Sequence, residues 1–117
     1  MNWLKVCHLD DLIANSGMGA WVDGTQLALF YVPALQPGVY ALDNWDPIGQ
    51  AFVMARGILG DINGELSVAS PLYKQHFSLK TGQCLEQPEV RIRVWPVKVE
   101  HGEVWVNTIA PSFLSKS

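Results

Sequence analysis

The sequence predicts an all-β fold, an antiparallel sandwich or barrel with one short helical turn near its N-terminus. Two observations lead to this prediction: apolar and polar residues alternate with a period of two, and turn-forming pairs recur about every ten residues. The chain has 117 residues and is 49% hydrophobic, which suits one domain with one core. We expect a single domain over residues 1–110 and a frayed tail over residues 111–117.

The most regular alternation lies near the C-terminus. Residues 90–94 alternate apolar and charged side chains, and the pattern resumes over residues 97–100. Between these runs, Pro96 predicts a bend or an edge of the sheet. A His-Gly pair then separates residues 97–100 from the alternating residues 103–106. Two alternating runs around a two-residue turn that contains glycine predict a β-hairpin.

Further turns separate other apolar runs, and they predict short strands on either side of each turn. The segment 10–14 predicts the single helical turn, with Gly17 ending it. The additional turn pairs are Asp23-Gly24, Asn63-Gly64 and Thr81-Gly82.

Composition excludes several classes of partner and location. The chain carries 8 Lys and Arg against 11 Asp and Glu, a net charge of −3, and it has no basic run that would suit a nucleic acid. Its apolar runs are far shorter than the ~18 residues of a membrane span, and its first residues lack the pattern of a signal peptide. The 2 cysteines provide no disulfide framework. We therefore expect a cytoplasmic chain that binds neither nucleic acid nor membrane.

Two thiols and two imidazoles raise the question of a metal site. Cys7 and His8 are adjacent on a predicted strand, so their side chains point to opposite faces. His76 and Cys84 lack the paired spacing of metal ligands. We expect no metal site, and we interpret both cysteines as small core residues.

Catalytic patterns are equally absent from the sequence. No Gly-x-Ser-x-Gly nucleophile elbow occurs. Five carboxylates that could act in acid–base chemistry lie beside turn-forming residues, where capping and turn roles explain them. These carboxylates are Asp10, Asp11, Asp43, Asp46 and Asp61. We expect no catalytic site in this chain alone.

One stretch carries a more specific signal. Residues 70–85 resemble the second cluster-binding loop of Rieske iron–sulfur domains, which reads Cys-Pro-x-His-Gly, then a Phe, then a Thr-Gly turn. Arg56 and Gly57 resemble the end of the first loop, Cys-x-His-Arg-Gly, and residues 93–106 resemble the closing hairpin. The resemblance implies a Rieske-like fold.

The four ligand positions of that pattern fall on Val53, Ala55, Ser70 and Tyr73. A Rieske cluster needs two thiolates on one iron and two imidazoles on the other. Valine and alanine have no donor atom, and hydroxyl oxygens are poor substitutes for soft ligands. We therefore predict the fold without the [2Fe-2S] cluster and without any cofactor in this chain.

A Rieske-like fold without ligands is similar to one family, the small subunits of cytoplasmic NADH-dependent assimilatory nitrite reductase. Residues 3–12, 44–47 and 69–75 resemble the corresponding segments of those subunits. The resemblance implies docking on a large subunit that carries FAD, a [4Fe-4S] cluster and sirohaem and reduces nitrite to ammonium with NADH. This chain would support that oxidoreductase complex.

The two loops of the Rieske pattern, residues 49–60 and 70–77, would form a tip. Their apolar side chains either fill the space of the missing cluster, the interpretation that we favour for Val53 and Ala55, or form an exposed docking patch. The predicted docking residues are Met54, Arg56, Leu72, Tyr73, Lys74 and His76.

Two other functions are compatible with a small β domain. One is a free-standing Rieske-type electron carrier, which the missing ligands disfavour. The other is a free-standing ligand-binding or regulatory β-sandwich module.

Overall fold

The computed structural model describes residues 3–36 and 38–108, and within them it forms twelve strands and two 3₁₀ turns. The strands are β1 Trp3–His8, β2 Ser16–Val22, β3 Thr25–Tyr31, β4 Val39–Asp43, β5 Trp45–Asp46, β6 Ala51–Phe52, β7 Ile58–Ile62, β8 Glu65–Ala69, β9 His76–Ser78, β10 Val94–Trp95, β11 Val97–Glu100 and β12 Glu103–Asn107. The 3₁₀ turns are Leu9–Asp11 and Met54–Arg56. All pairings between these strands are antiparallel, which confirms the predicted fold class.

Three of the predicted turns join neighbouring strands as two-residue hairpins. They connect β2 to β3, β7 to β8 and β11 to β12. Both residues of each turn have positive φ, which a type I′ turn requires and which glycine adopts at little steric cost. The pairs are Asp23-Gly24 (φ 52° and 82°), Asn63-Gly64 (φ 53° and 86°) and His101-Gly102 (φ 54° and 76°).

The central sheet, in the order β10-β4-β3-β2, is covered on both faces. Leu27 and Leu29 of β3 pack into a first core shared with the sheet β1-β12-β11. Ala28 and Phe30 point the opposite way, into a second core shared with the sheet β7-β8-β9. Burial on both faces explains why β3 is a continuous apolar run rather than an alternating one.

The prediction of a strand over residues 90–94 is wrong for most of its length. Only Val94–Trp95 pairs regularly as β10, whereas Arg91 forms an isolated bridge to Gln83. The backbone of Val90 and Ile92 bonds to residues 82–84, whereas the carbonyl oxygen of Arg93 accepts the N–H of Asp43 on β4. The segment therefore forms no single ladder. Pro96 then carries the chain from the central sheet into the sheet of β11, which confirms the predicted bend.

The helical turn near the N-terminus is shorter and earlier than the predicted segment 10–14, because it covers only Leu9–Asp11. Gly17 does not end it and lies within β2 instead. A Cβ added to Gly17 would stand 2.4 Å from the carbonyl oxygen of Ala55. Gly17 therefore permits the second 3₁₀ turn to lie directly against β2.

No helix among the described residues is long and apolar enough to cross a membrane. The frayed tail predicted for residues 111–117 lies outside the described residues.

Candidate functional site

A buried carboxylate ties together the two loops that the sequence singles out. Asp46 of β5 accepts a hydrogen bond from the Ser70 hydroxyl through Oδ2. Its Oδ1 accepts the backbone N–H groups of Ile48 at 2.8 Å and Gly49 at 3.0 Å. One side chain thus caps the start of the first loop and anchors the start of the second.

A close apolar contact also links the loops. A Cβ added to Gly49 would lie 2.4 Å from Cδ1 of Leu72 and 3.0 Å from Oδ2 of Asp46. Only glycine lets the Leu72 side chain cross the first loop this closely.

Asn44, which is buried, holds the 3₁₀ turn Met54–Arg56 in place. Its Oδ1 accepts the N–H of Ala55 at 2.7 Å, and its backbone oxygen accepts the N–H of Met54 at 3.1 Å. Met54 is thereby directed into the second core, where it is fully buried. Its predicted docking role is wrong, because it has no exposed surface to offer a partner.

The second loop closes on Ser70. The N–H of Ser70 donates to the oxygen of Gln75 at 2.9 Å, and the N–H of Lys74 donates to the oxygen of Ser70 at 3.0 Å. Lys74 has φ 63°, in the left-handed region, and stands where the Rieske pattern has glycine. For a residue other than glycine, this backbone conformation is about 1–2 kcal/mol higher in energy.

Four of the predicted docking residues are exposed on these loops. Leu72 is 45% and Tyr73 is 65% exposed, and Arg56 and Lys74 are also exposed. Large apolar side chains beside positive charges are typical of protein interfaces, in which Tyr and Arg are enriched.

His76, the sixth predicted docking residue, is half-buried and paired. Its Nδ1 lies 2.6 Å from Oε2 of Glu86, and its backbone N–H donates to Oε1 at 2.8 Å. Partial burial pushes the pKa of Glu86 upward, but these bonds and the charge of His76 outweigh it, so the net effect lowers that pKa. The pair fixes the end of the second loop to the segment around Cys84.

The residues at the four ligand positions do not fit a [2Fe-2S] cluster. Val53 and Ala55 are partly buried hydrocarbons. Ser70 is buried and its hydroxyl already donates to Asp46, while the Tyr73 ring is mostly exposed. Neither the donor chemistry nor the placement matches two thiolates and two imidazoles around iron.

The remaining potential ligands are dispersed. Among the described residues, no group of three or more His, Cys, Asp or Glu side chains could hold a metal ion. Cys84 is buried, as predicted for a core residue, and Cys7 is half-buried. Burial raises the pKa of both thiols, and the Asp11 carboxylate adds to the effect at Cys7. Neither cysteine is therefore activated as a thiolate.

Two of the aspartates with a predicted turn role have that role, and a third does not. Asp11 and Asp61 accept backbone N–H groups of turns, at 3.0 and 2.7 Å, as predicted. The turn role predicted for Asp43 is wrong, because its oxygens accept Arg93 Nε at 2.8 Å and Trp95 Nε1 at 2.7 Å. Residues far apart in sequence meet there across paired strands.

Sequence reasoning missed one feature, an aromatic cleft. It has a volume of about 340 Å³ and is rimmed by Trp21, Trp45 and Phe52. The other lining residues are Gly24, Thr25, Gln26, Asp43 and Arg93. Three separate segments supply the aromatic rings, so the only local signal was Trp21 beside a predicted hairpin turn.

Comparison with known proteins relates the chain to one family. A family described as Rieske-like [2Fe-2S] domain matches residues 2–107. The nitrite reductase (NADH) small subunit of Salmonella typhimurium is 37% identical over 102 residues, which cover 87% of this chain and 94% of that protein. The ferredoxin component of the naphthalene 1,2-dioxygenase system of Pseudomonas putida is 30% identical over 108 residues, covering 92% and 96%.

A structural relative and a longer relative add to this picture. The NMR structure of the Escherichia coli protein NirD superimposes with a TM-score of 0.83 at 32% identity, covering 92% of this chain and 97% of that one. The nitrite reductase [NAD(P)H] large subunit of Klebsiella oxytoca is 46% identical over 104 residues. That match covers 89% of this chain, which spans only 11% of the Klebsiella protein.

Proposed function

Because this chain belongs to the family of NADH nitrite reductase small subunits, within the Rieske-like domains, we propose that it is the small subunit of such an enzyme in the cytoplasm. Its 37% identity extends over 94% of a named small subunit, so whole domains correspond rather than isolated motifs. The free thiols Cys7 and Cys84 are compatible with a reducing compartment.

The observation that carries the proposal is the Klebsiella relative. A protein named as the large subunit contains a segment 46% identical to this chain, which amounts to 11% of its length. The same domain therefore occurs covalently joined to a large subunit. This supports a large subunit as the partner of the separate chain, since fusion replaces an encounter between two molecules by an intramolecular one.

We propose that the docking surface is the exposed part of the two loops, formed by Arg56, Leu72, Tyr73 and Lys74, with His76 at its edge. Two positive charges stand here on a chain of net charge −3, which favours an acidic patch on the partner. The buried Asp46–Ser70 hydrogen bond holds the loops in place before the partner binds.

The proposed role of this subunit is to stabilise or orient the assembly. Electron transfer from NADH to nitrite would take place on the large subunit, for which FAD, a [4Fe-4S] cluster and sirohaem are the proposed cofactors. This chain would take no part in that transfer, because its loops lack the soft ligands of an iron–sulfur centre.

Co-purification tests the proposal. The tagged chain is expected to capture the nitrite reductase large subunit of the same organism. The double variant R56E/K74E should weaken capture, whereas K5E/K80E, with the same change in net charge outside the docking surface, should not. Absence of capture by the unaltered chain would favour a free-standing ligand-binding or regulatory module.

A Rieske-type electron carrier is the second candidate, supported by the 30% identity to a dioxygenase ferredoxin component. Iron and acid-labile sulfide analysis after anaerobic purification separates the two functions. The proposed small subunit should be colourless and free of stoichiometric iron, and two irons per chain would contradict it.

A further inference from the structure

The aromatic cleft presents three large rings to solvent beside the two loops. Trp21 is 70%, Phe52 is 53% and Trp45 is 39% exposed. Trp45 and Phe52 are paired across β5 and β6, with ring centroids 4.9 Å apart and planes at 62°. The edge-to-face contact holds these two rings in position, so little conformational entropy is lost if a partner packs on them.

The floor of the cleft supplies hydrogen-bond donors. The ion pair of Arg93 with Asp43 uses Nε, at 2.8 Å, and leaves the terminal guanidinium nitrogens unbonded among the described residues. Both oxygens of the Asp43 carboxylate already accept a hydrogen bond, because its other oxygen accepts Trp95 Nε1. Thr25 also lines the cleft and adds a hydroxyl. The free groups therefore favour an acceptor oxygen, such as a carboxylate, next to an apolar group.

The shape of the cleft favours a protein segment over a small molecule. Small-molecule sites enclose most of the ligand surface, whereas here the aromatic side chains project from an open rim with more than half of Trp21 and Phe52 exposed. Tryptophan and arginine are also the residues that most often dominate the binding energy of protein interfaces.

The cleft adjoins the proposed docking surface through the first loop, residues 49–60. Phe52 belongs to this loop, is 53% exposed and lines the cleft together with Trp45. One partner can therefore cover the exposed loops and the cleft together.

We propose that the cleft is a second anchor for the large subunit and binds a segment with an apolar side chain flanked by a carboxylate. The inference rests on the proposed function, since it takes the large subunit as the partner. It extends the interface beyond the residues of the two loops, to Trp21 on β2 and Arg93 before β10.

Binding measurements with the purified large subunit of the same organism test this inference. The full chain is compared with W21S and F52S, and the matched control is I13S, which removes a 73% exposed apolar side chain outside the cleft. We expect W21S and F52S each to raise Kd about tenfold or more, and I13S to change it by less than about twofold. Unfolding midpoints in urea verify that all variants are folded.

Two outcomes separate the inference from its premise. If the unaltered chain binds and R56E/K74E weakens binding, but W21S and F52S behave like I13S, the cleft is no anchor and the proposed function stands. If the unaltered chain does not bind the large subunit, the proposed function itself fails and the inference fails with it.

Discussion

The hydroxyl of Ser70 donates a hydrogen bond to the buried carboxylate of Asp46, 24 residues earlier in the chain. Ser70 occupies a position where the Rieske pattern has a cluster thiolate, so a polar side-chain contact joins the two loops that an inorganic centre would otherwise join. The same carboxylate caps the backbone of Ile48 and Gly49. The shape of the loops is therefore maintained by hydrogen bonds and packing.

The first prediction concerns this contact. Ser70→Ala should lower the free energy of unfolding by about 1–3 kcal/mol, because a buried carboxylate loses a donor. Ser67→Ala is the matched control, since Ser67 is equally buried but its hydroxyl has no partner among the described residues. Urea unfolding measures both, and equal losses in the two variants would contradict the importance of the Asp46 contact.

The second prediction concerns the left-handed conformation of Lys74, φ 63°. Lys74→Gly should stabilise the chain by up to about 1 kcal/mol, because glycine adopts this conformation without strain. Lys80→Gly, an exposed lysine without positive φ, should instead destabilise it by about 0.5–1 kcal/mol. Thermal or urea unfolding measures the stability of both variants. A loss of stability in both would show that Lys74 is not strained.

A second substitution of Lys74 tests its role in binding separately from its effect on stability. Lys74→Glu keeps the strained backbone and reverses the charge, so we expect little change in unfolding and weaker binding of the large subunit. Binding as tight as that of the unaltered chain would remove Lys74 from the interface.

The third prediction concerns Gly82, which has φ 77° and lies against the backbone of Ile92. An added Cβ would stand 1.9 Å from the Ile92 carbonyl oxygen. Gly82→Ala should therefore cost more than the ~1 kcal/mol of backbone strain alone. Gly64 has a similar positive φ of 86°, but an added Cβ there would meet no atom within 4 Å. Gly64→Ala should therefore lower the free energy of unfolding less, and the difference between the two variants measures the steric clash at Gly82. Similar losses would mean that the turn shifts to accommodate the methyl group.

The fourth prediction concerns pH. The pKa of Glu86 is lowered in the folded chain, because the hydrogen bonds from His76 outweigh the effect of partial burial. The ionised form therefore stabilises the fold above the ordinary glutamate pKa of 4.5, and this contribution is lost as the pH falls through the lower value of the folded state. The Glu86→Gln variant should lose stability at neutral pH and approach the unaltered chain in acid. A constant difference from neutral pH to about pH 3 would contradict this linkage.

The sequence by itself determined the hairpins and the lack of cluster ligands. The pair His101-Gly102 specifies its turn because positive φ is a local preference of those residue types, and alternation specifies the strands beside it. Val53 and Ala55 exclude metal ligation by their chemistry alone, whatever the fold.

Only the tertiary structure decided which side chains are buried and which surfaces remain open. Met54 lies in the second core because Asn44 orients its turn, although its neighbours in sequence also suited an exposed loop. The cleft needs Trp21 beside Trp45 and Phe52, which β2, β5 and β6 supply separately. Local preferences act between near neighbours in the chain, whereas burial and clefts arise from packing between distant segments, which no short sequence pattern records.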